Sequence, residues 1–242
     1  MSSIIFWDWD NTLVDTFQAI LTAQNALRLK YGLKPWTREE SKLAMNQSGR
    51  NLIKNLVGAD KEREARSYFL ECYAQNLNHL ILKEGAAETL NRSKSLGYVN
   101  ILASNKEKKI LDKEVEILGI NALFDRIIGA NQAPEDKPSK IFSDKAIEGL
   151  EVEKILSVGD GLSDIKMAHN YPNGQAILVF SDVNSKEFQN EKPDYVAANL
   201  FECQKILLSV SKSVVFDKQR LSAATDRPLP GLDRVDRPRS DR

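Results

Sequence analysis

The chain has 242 residues, of which 42% are hydrophobic and 28% charged, and this length allows one large domain or a core domain with a smaller insert. Basic and acidic residues number 34 each, so the net charge gives no indication of a nucleic-acid partner. No apolar run approaches the roughly 20 residues of a membrane span, and the first residues lack a signal-peptide pattern. We therefore expect a cytoplasmic protein that binds neither membranes nor nucleic acid.

Cysteine and histidine are too scarce to indicate a metal centre built from these residues. Cys72 and Cys203 lie far apart and outside any metal-ligand spacing, so we expect reduced thiols. His169 is expected on the solvated surface. Neither a disulfide nor a histidine-based metal site is therefore expected.

Short apolar runs alternate with helical patterns along the chain. The runs cover 4–9, 98–103, 126–129, 154–158, 176–180 and 194–197. Several are almost wholly apolar, which is typical of strands buried on both faces of a parallel sheet. Helical patterns lie between them over 84–96, 106–118, 138–149 and 162–170. This order predicts an α/β fold, a doubly wound and mostly parallel sheet.

The first two strand-like runs are separated by a gap far longer than one crossover helix requires. Helical patterns in this gap cover 16–31, 37–46, 50–57 and 61–80, without a convincing strand. We predict a core domain formed by residues 1–15 and 85–212, with a small all-helical cap, residues 16–84, inserted after the first strand. Extra helices packed against the edge of the sheet are the alternative.

The C-terminal segment, residues 213–242, differs in composition from the rest of the chain. It is rich in aspartate, arginine and proline and has few apolar residues. Such a segment cannot bury enough apolar surface to offset the loss of chain entropy on folding. We predict a disordered tail, and a peptide that docks on a partner is the alternative.

Two aspartates, Asp8 and Asp10, lie at the end of the first strand-like run and directly after it. Residues two apart on a strand point to the same side, and open α/β sheets bind ligands at the carboxyl ends of their strands. Because two neighbouring carboxylates repel each other, the pair favours a hard cation with oxygen ligands, such as Mg²⁺. A turn or a helix cap is the alternative explanation for this pair.

A second acidic pair follows the run 154–158. Asp160 lies between Gly159 and Gly161, which allow close approach of the backbone, and Asp164 follows near the start of the next helix. A favourable charge at a helix start is the alternative explanation for Asp164.

Two further segments offer groups that bind anions. Ser104 and Asn105 follow the run 98–103 and precede a helix, whose first N–H groups would complete a phosphate cradle; a plain helix cap is the alternative. Lys137 precedes Pro138, which suits a first helical turn, so this lysine would project from a loop toward an anion or toward solvent. With the two acidic pairs, these segments supply the nucleophile, proton-transfer group, cation site and donors that phosphoryl transfer needs.

In order and spacing, these four segments resemble the motifs of the haloacid dehalogenase superfamily. The matching residues are Asp8 to Thr12, Ser104, Lys137-Pro138, and Gly159-Asp160 through Asp164. The resemblance covers about residues 4–200. The helical insert is similar to the cap of the phosphoglycolate phosphatase and β-phosphoglucomutase branch.

The resemblance implies a catalytic role for several of these residues. Asp8 would attack phosphorus and form an aspartyl-phosphate, Asp10 would protonate the leaving oxygen and then activate water, and Lys137 would neutralise charge. The Asp8 carboxylate, the backbone carbonyl of Asp10 and Asp160 would hold Mg²⁺, and Asp164 would ligate or support that site.

It also implies how the substrate is bound. Thr12, Ser104 and Asn105 would contact the phosphoryl group. In the Ser48-Gly49-Arg50 segment of the predicted cap, Arg50 would hold a distal anion; a surface arginine is the alternative.

Asp10 separates the branches of the superfamily, because the dehalogenases lack this second aspartate. We therefore expect Mg²⁺-dependent hydrolysis of a small phosphorylated metabolite by a monomer or homodimer. A phosphomutase acting on a sugar phosphate and a non-catalytic binding module are the alternatives.

Overall fold

The computed structural model describes residues 1–45, 49–75, 77 and 80–211. The chain divides into two compact units, Met1–Leu207 and Leu208–Arg242. Of the second unit only residues 208–211 are described, and they are helical. The predicted disordered tail, residues 213–242, lies outside the described residues. In the described part of the chain, no helix is long and apolar enough to cross a membrane.

A six-stranded sheet forms the centre of the first unit. Its strands are β1 Ser2–Trp7, β4 Tyr98–Glu107, β5 Arg126–Ala130, β6 Val152–Gly159, β7 Gly174–Val179 and β8 Tyr195–Ala197, and the two short strands β2 Val14–Asp15 and β3 Ile81–Leu82 pair separately. The order across the sheet is β5-β4-β1-β6-β7-β8, and every neighbouring pair is parallel. Because the chain winds outward from β1 in both directions, a crevice opens at the carboxyl ends of β1 and β6.

Both faces of this sheet are covered by helices. The helices around it are α5 Ala86–Ser95, α6 Lys108–Ile117, α7 Lys140–Ala146, α8 Leu162–His169 and, within the first unit, α9 over 200–207. On one face, Phe142 of α7 and Met167 of α8 pack against Phe6 of β1. On the other face, Ser93 of α5 donates a hydrogen bond to Asn100 of β4. The predicted doubly wound, parallel α/β fold is therefore confirmed.

The regular secondary structure described between β2 and β3 is all helical. Its helices are α1 Phe17–Lys30, α2 Arg38–Ala44, α3 Gly49–Val57 and α4 Glu62–Ala74. They share apolar contacts of their own, in which Leu27, Ile53 and Ala65 are buried together. We call α1–α4 the helical insert. The division of the chain into a core domain and a cap domain stays a prediction.

Some predicted boundaries differ from the structure. The pattern over 61–80 ends as helix α4 at Ala74, and residues 81–82 form strand β3 against β2. Two-residue strands are too short to show a hydrophobic period, so the sequence could not indicate this ribbon. Strand β4 continues to Glu107, and the predicted helix over 138–149 is the shorter α7, which begins after Ser139.

Candidate active site

Asp8 lies at the carboxyl end of β1, one residue beyond the strand. Its Oδ1 accepts a hydrogen bond from Nζ of Lys137 at 2.6 Å, and its Oδ2 accepts one from the Thr12 hydroxyl at 3.0 Å. Lys137 is only 3% exposed, so it does not project into solvent from its loop. The alternative that this lysine extends toward solvent is therefore wrong, because two carboxylates hold its ammonium group in place.

Two more aspartates lie beside Asp8: Asp160 directly follows β6, and Asp164 lies in the first turn of α8. Asp164 accepts a hydrogen bond from Lys137 at 2.8 Å, and carboxylate oxygens of Asp8, Asp160 and Asp164 all lie within 4.8 Å of one another. Gly159 makes this arrangement possible, since a Cβ atom there would lie 2.1 Å from the Asp164 carboxylate. The predicted close approach of the backbone at this glycine is therefore present.

Burial gives this cluster of three aspartates unusual electrostatics. It raises the pKa of Asp8 to about 7, because it outweighs the lowering effect of Lys137. Burial and the neighbouring charges of Asp8 and Asp164 also raise the pKa of Asp160 well above its usual value. Burial opposes the charge of Lys137, but Asp164 and Asp8 raise its pKa overall. Three carboxylates around one ammonium group leave an excess of negative charge, so a metal ion with oxygen ligands fits here.

Asp10 faces a different set of partners. The backbone turns after β1, with Asn11 in the left-handed region at φ 62°, which asparagine tolerates. The Asp10 carboxylate accepts hydrogen bonds from Lys106 at 2.6 Å and from the Thr16 hydroxyl at 2.7 Å. The two aspartates therefore do not share one face of a strand as predicted, because β1 ends at Trp7 and the chain bends.

The sequence analysis missed the buried network behind Asp10. Nζ of Lys106 also contacts both carboxylate oxygens of Glu114, at 2.7 and 2.9 Å, and the Tyr73 hydroxyl at 2.8 Å. Glu114 is fully buried, which raises its pKa, and Trp9 donates a hydrogen bond to it at 2.6 Å. Burial works against the charge of Lys106, but Asp10 and Glu114 raise its pKa overall. No local spacing signals these partners, which come from four separate segments.

Ser104 and Asn105 lie within the extended end of β4. The Ser104 hydroxyl accepts a hydrogen bond from the Lys106 N–H at 3.1 Å, and the Asn105 amide donates one to the carbonyl of Lys137 at 3.2 Å. The side-chain oxygen of Asn105, Oδ1, is buried and has no hydrogen-bond partner among the described residues. The predicted helix N-terminus directly after these residues is wrong, because α6 begins only at Lys108.

These groups line one cavity of about 170 Å³ at the carboxyl end of the sheet. The predicted residues on its wall are Asp8, Asp10, Ser104, Asn105, Lys137, Asp160 and Asp164. The helical insert supplies the apolar side of the wall through Ile20, Leu27, Leu56 and Phe69. The structure thus brings together side chains from three strand ends and one loop, as their positions in the sequence predicted.

Thr12 is not among the residues that line this wall. Thr12 is fully buried, and its hydroxyl donates a hydrogen bond to Asp8. Arg50 is the second residue of α3, but its side chain is not among those described. Ser48 lies outside the described residues.

Comparison with known proteins identifies the family. Residues 4–173 match the family model of the haloacid dehalogenase-like hydrolases. The chain belongs to this family. The resemblance that the four motifs carried is therefore confirmed.

Curated relatives in this family are named as phosphatases. The phosphoglycolate phosphatase of Nitrosococcus oceani is 27% identical over 217 residues, which cover 84% of this chain and 96% of the relative. That of Chromobacterium violaceum is 26% identical over 175 residues, which cover 68% of this chain and 79% of the relative. With the family match, these relatives make the chain a hydrolase of the phosphatase type.

Solved structures agree with the fold. A hydrolase from Pseudomonas syringae superposes with a TM-score of 0.74 at 15% identity, covering 87% of this chain and 99% of that one. A haloacid dehalogenase-like hydrolase from Streptococcus pneumoniae has a TM-score of 0.71 at 20% identity, covering 85% and 98%. At this level of identity the likeness concerns the fold alone.

Proposed function

We propose that this hydrolase cleaves a small phosphomonoester through an aspartyl-phosphate on Asp8, with Mg²⁺ as its metal. The observation that carries the proposal is the setting of Asp8. Its carboxylate lies at the end of β1, against Lys137 and beside Asp160 and Asp164, in a cavity that also contains Asp10.

In the first half of the reaction, an Asp8 oxygen forms a bond to phosphorus. The bond from phosphorus to the leaving oxygen breaks, its electron pair stays on that oxygen, and the oxygen takes a proton from Asp10. In the second half, water attacks phosphorus and gives a proton to Asp10, while the bond between phosphorus and Asp8 breaks. The products are an alcohol and phosphate, and both aspartates return to their starting states.

Lys137 and Ser104 are the groups we assign to the phosphoryl oxygens. Lys137 offers a fixed positive charge beside Asp8, and Ser104, a buried residue, lines the cavity. Donors set in advance toward developing negative charge lower the barrier of such reactions. Asn105 is assigned with them, whereas the contact of Thr12 with Asp8 favours a supporting role for its hydroxyl.

The metal site is proposed on the side chains of Asp8, Asp160 and Asp164, with the backbone carbonyl of Asp10. This site offers oxygen ligands alone, which suit Mg²⁺ better than a softer metal. When bound, the ion supplies charge neutralisation for the phosphoryl group.

The names of the relatives suggest 2-phosphoglycolate as the substrate to test first. We propose that residues 16–84 act as a cap over the sheet end, since α1–α4 supply one side of the cavity. The role of Arg50, the cytoplasmic location and the monomeric or dimeric state stay predictions. No contact among the described residues favours the phosphomutase or the binding module.

Replacement of Asp8 tests the reaction. Asp8→Asn removes the attacking oxygen charge but keeps the size of the side chain, so phosphate release from 2-phosphoglycolate should fall by about 1,000-fold or more. Asp112→Asn, which changes a surface aspartate paired with Lys108, is the matched control and should keep full activity. Phosphate release is measured with Mg²⁺ and after its removal by EDTA. Full Mg²⁺-dependent activity in Asp8→Asn would contradict the proposal.

A further inference from the structure

The ammonium group of Lys106 is held from three sides. Its Nζ lies 2.6 Å from Oδ1 of Asp10, 2.8 Å from the Tyr73 hydroxyl and 2.7 Å from Oε2 of Glu114. An ammonium group has three N–H donors, so these partners account for all of them. The side chain is 8% exposed. Lys106 therefore has one fixed orientation and no donor left over for a substrate.

The two oxygens of Asp10 are used differently. Oδ1 accepts hydrogen bonds from both Lys106 and the Thr16 hydroxyl, at 2.6 and 2.7 Å. Within the described part of the chain, Oδ2 has no hydrogen-bond partner. Two donors on one oxygen fix the carboxyl group, and they leave Oδ2 for a proton. Asp10 also lines the cavity in which a leaving oxygen would arrive, so Oδ2 is the Asp10 oxygen that stays available to the reaction.

Glu114 holds the other end of this arrangement. It is fully buried and contacts Lys106 through both carboxylate oxygens. Its Oε2 also accepts a hydrogen bond from the indole N–H of Trp9, with 2.6 Å between Nε1 and Oε2. Trp9 lies between Asp8 and Asp10 in the chain, so Glu114 fixes both the lysine and the backbone that carries the two aspartates. A side chain with no exposed surface cannot touch a substrate, and its effect on the reaction must pass through Lys106 and Trp9.

We propose that Lys106, anchored by Glu114, is the positioning residue that directs Oδ2 of Asp10 toward the leaving oxygen. This inference rests on the proposed function, in which Asp10 gives its proton to that oxygen as the bond to phosphorus breaks. It adds two residues, from the end of β4 and from α6, that the family motifs matched above do not include.

A positioning role of Lys106 predicts a difference between two kinds of substrate that a merely structural role does not predict. An alkyl leaving group departs as a strongly basic alkoxide unless it receives a proton, whereas 4-nitrophenolate is stable without one. Loss of Asp10 positioning should therefore slow the first turnover of an alkyl phosphate and spare that of 4-nitrophenyl phosphate. Damage to the fold, or to the binding of the phosphoryl group, would slow both.

The experiment uses the full chain with Mg²⁺ and compares 2-phosphoglycolate with 4-nitrophenyl phosphate in rapid-quench measurements of the first turnover. Lys106→Met should slow the alkyl substrate by about 100-fold and the aryl substrate by less than about threefold, with KM changed by less than about twofold. Glu114→Gln, which keeps the shape of the side chain, should show the same discrimination with a smaller loss. Lys108→Met is the matched control, because this neighbouring lysine pairs with the surface residue Asp112.

Several outcomes would overturn the inference. Equal losses on both substrates in Lys106→Met and Glu114→Gln would assign these residues a structural role only. A large increase in KM without a change in the first turnover would make Lys106 a substrate-binding residue instead. If Lys106→Met does not fold, Glu114→Gln alone decides between these results. An unmodified protein that releases phosphate from neither ester would overturn the proposed function itself, which the other outcomes leave intact.

Discussion

At the scale of single residues, the charged groups around Asp8 are packed in close contact with one another. Lys137 is buried between Asp8 and Asp164, and the carboxylate of Asp164 occupies the space where Gly159 would carry a side chain. Each group in this set therefore depends on its neighbours. A change as small as one methyl group at the glycine should move the aspartate.

Gly159→Ala tests this dependence. The added Cβ atom would lie 2.1 Å from the Asp164 carboxylate, so the contact of Asp164 with Lys137 should be lost and activity should fall by at least about tenfold. Gly174→Ala is the comparison, since its Cβ would lie 1.9 Å from the Ala168 carbonyl, at the start of β7. Both changes should lower the free energy of unfolding by about 1–3 kcal/mol. Only Gly159→Ala should reduce kcat of the folded protein, and equal kcat values would contradict the assignment.

At the scale of elements, charged groups at helix and strand ends hold the periphery of the sheet. His169 ends α8 and lies between two carboxylates, Glu191 and Asp194, in the segment that leads into β8. The expected solvated position of His169 is confirmed, and the residue also joins these elements. Partial burial acts against its positive charge, but the hydrogen bonds to Glu191 and Asp194 raise its pKa overall.

This raised pKa predicts a pH dependence of stability. The folded protein binds the proton of His169 more tightly than the unfolded chain does, so the stabilisation is complete below about pH 6.5 and is lost as the pH rises through the raised value. Its size should be about 1 kcal/mol or less, because the ring is partly solvated. Thermal unfolding measured from pH 5.5 to 8.5 should show a smaller decrease with pH in His169→Gln than in the unmodified protein. Parallel curves would contradict the prediction.

At the scale of the whole first unit, the helical insert and the sheet end meet at the extension of β4. Arg66 of α4 places two N–H groups on one oxygen of Glu107, each at 3.0 Å. The adjacent Lys106 contacts Tyr73 of the same helix. Residues 106 and 107 therefore join the insert to the end of the sheet on the wall of the cavity.

A double-mutant cycle measures the strength of this connection. Arg66→Met, Glu107→Gln and the double variant should give a coupling free energy of about 1 kcal/mol in urea unfolding, because both side chains are about three-quarters buried. The exposed pair Lys140 and Asp144 is the matched control and should give less than about 0.5 kcal/mol. Additive effects at Arg66 and Glu107 would mean that this ion pair does not hold the insert.

The sequence by itself determined the parallel α/β fold and the strand ends that carry Asp8, Ser104 and Asp160. These features are local, because an apolar run and the polar residue that follows it lie within a few positions of each other. A parallel sheet then brings the strand ends to one edge, so their meeting follows from the topology. The four segments that carry the resemblance to the family are also short and local, so their order could be read from the sequence.

Only the tertiary structure decided which partners each of these residues has. Lys106 meets Asp10, 96 positions away, and Glu114, 8 positions away. Such pairs depend on how β4, α6 and the loop after β1 pack, and no hydrophobic period records that packing. The same holds for Thr12, whose hydroxyl turns to Asp8, and for Lys137, whose burial between two aspartates no loop pattern could reveal.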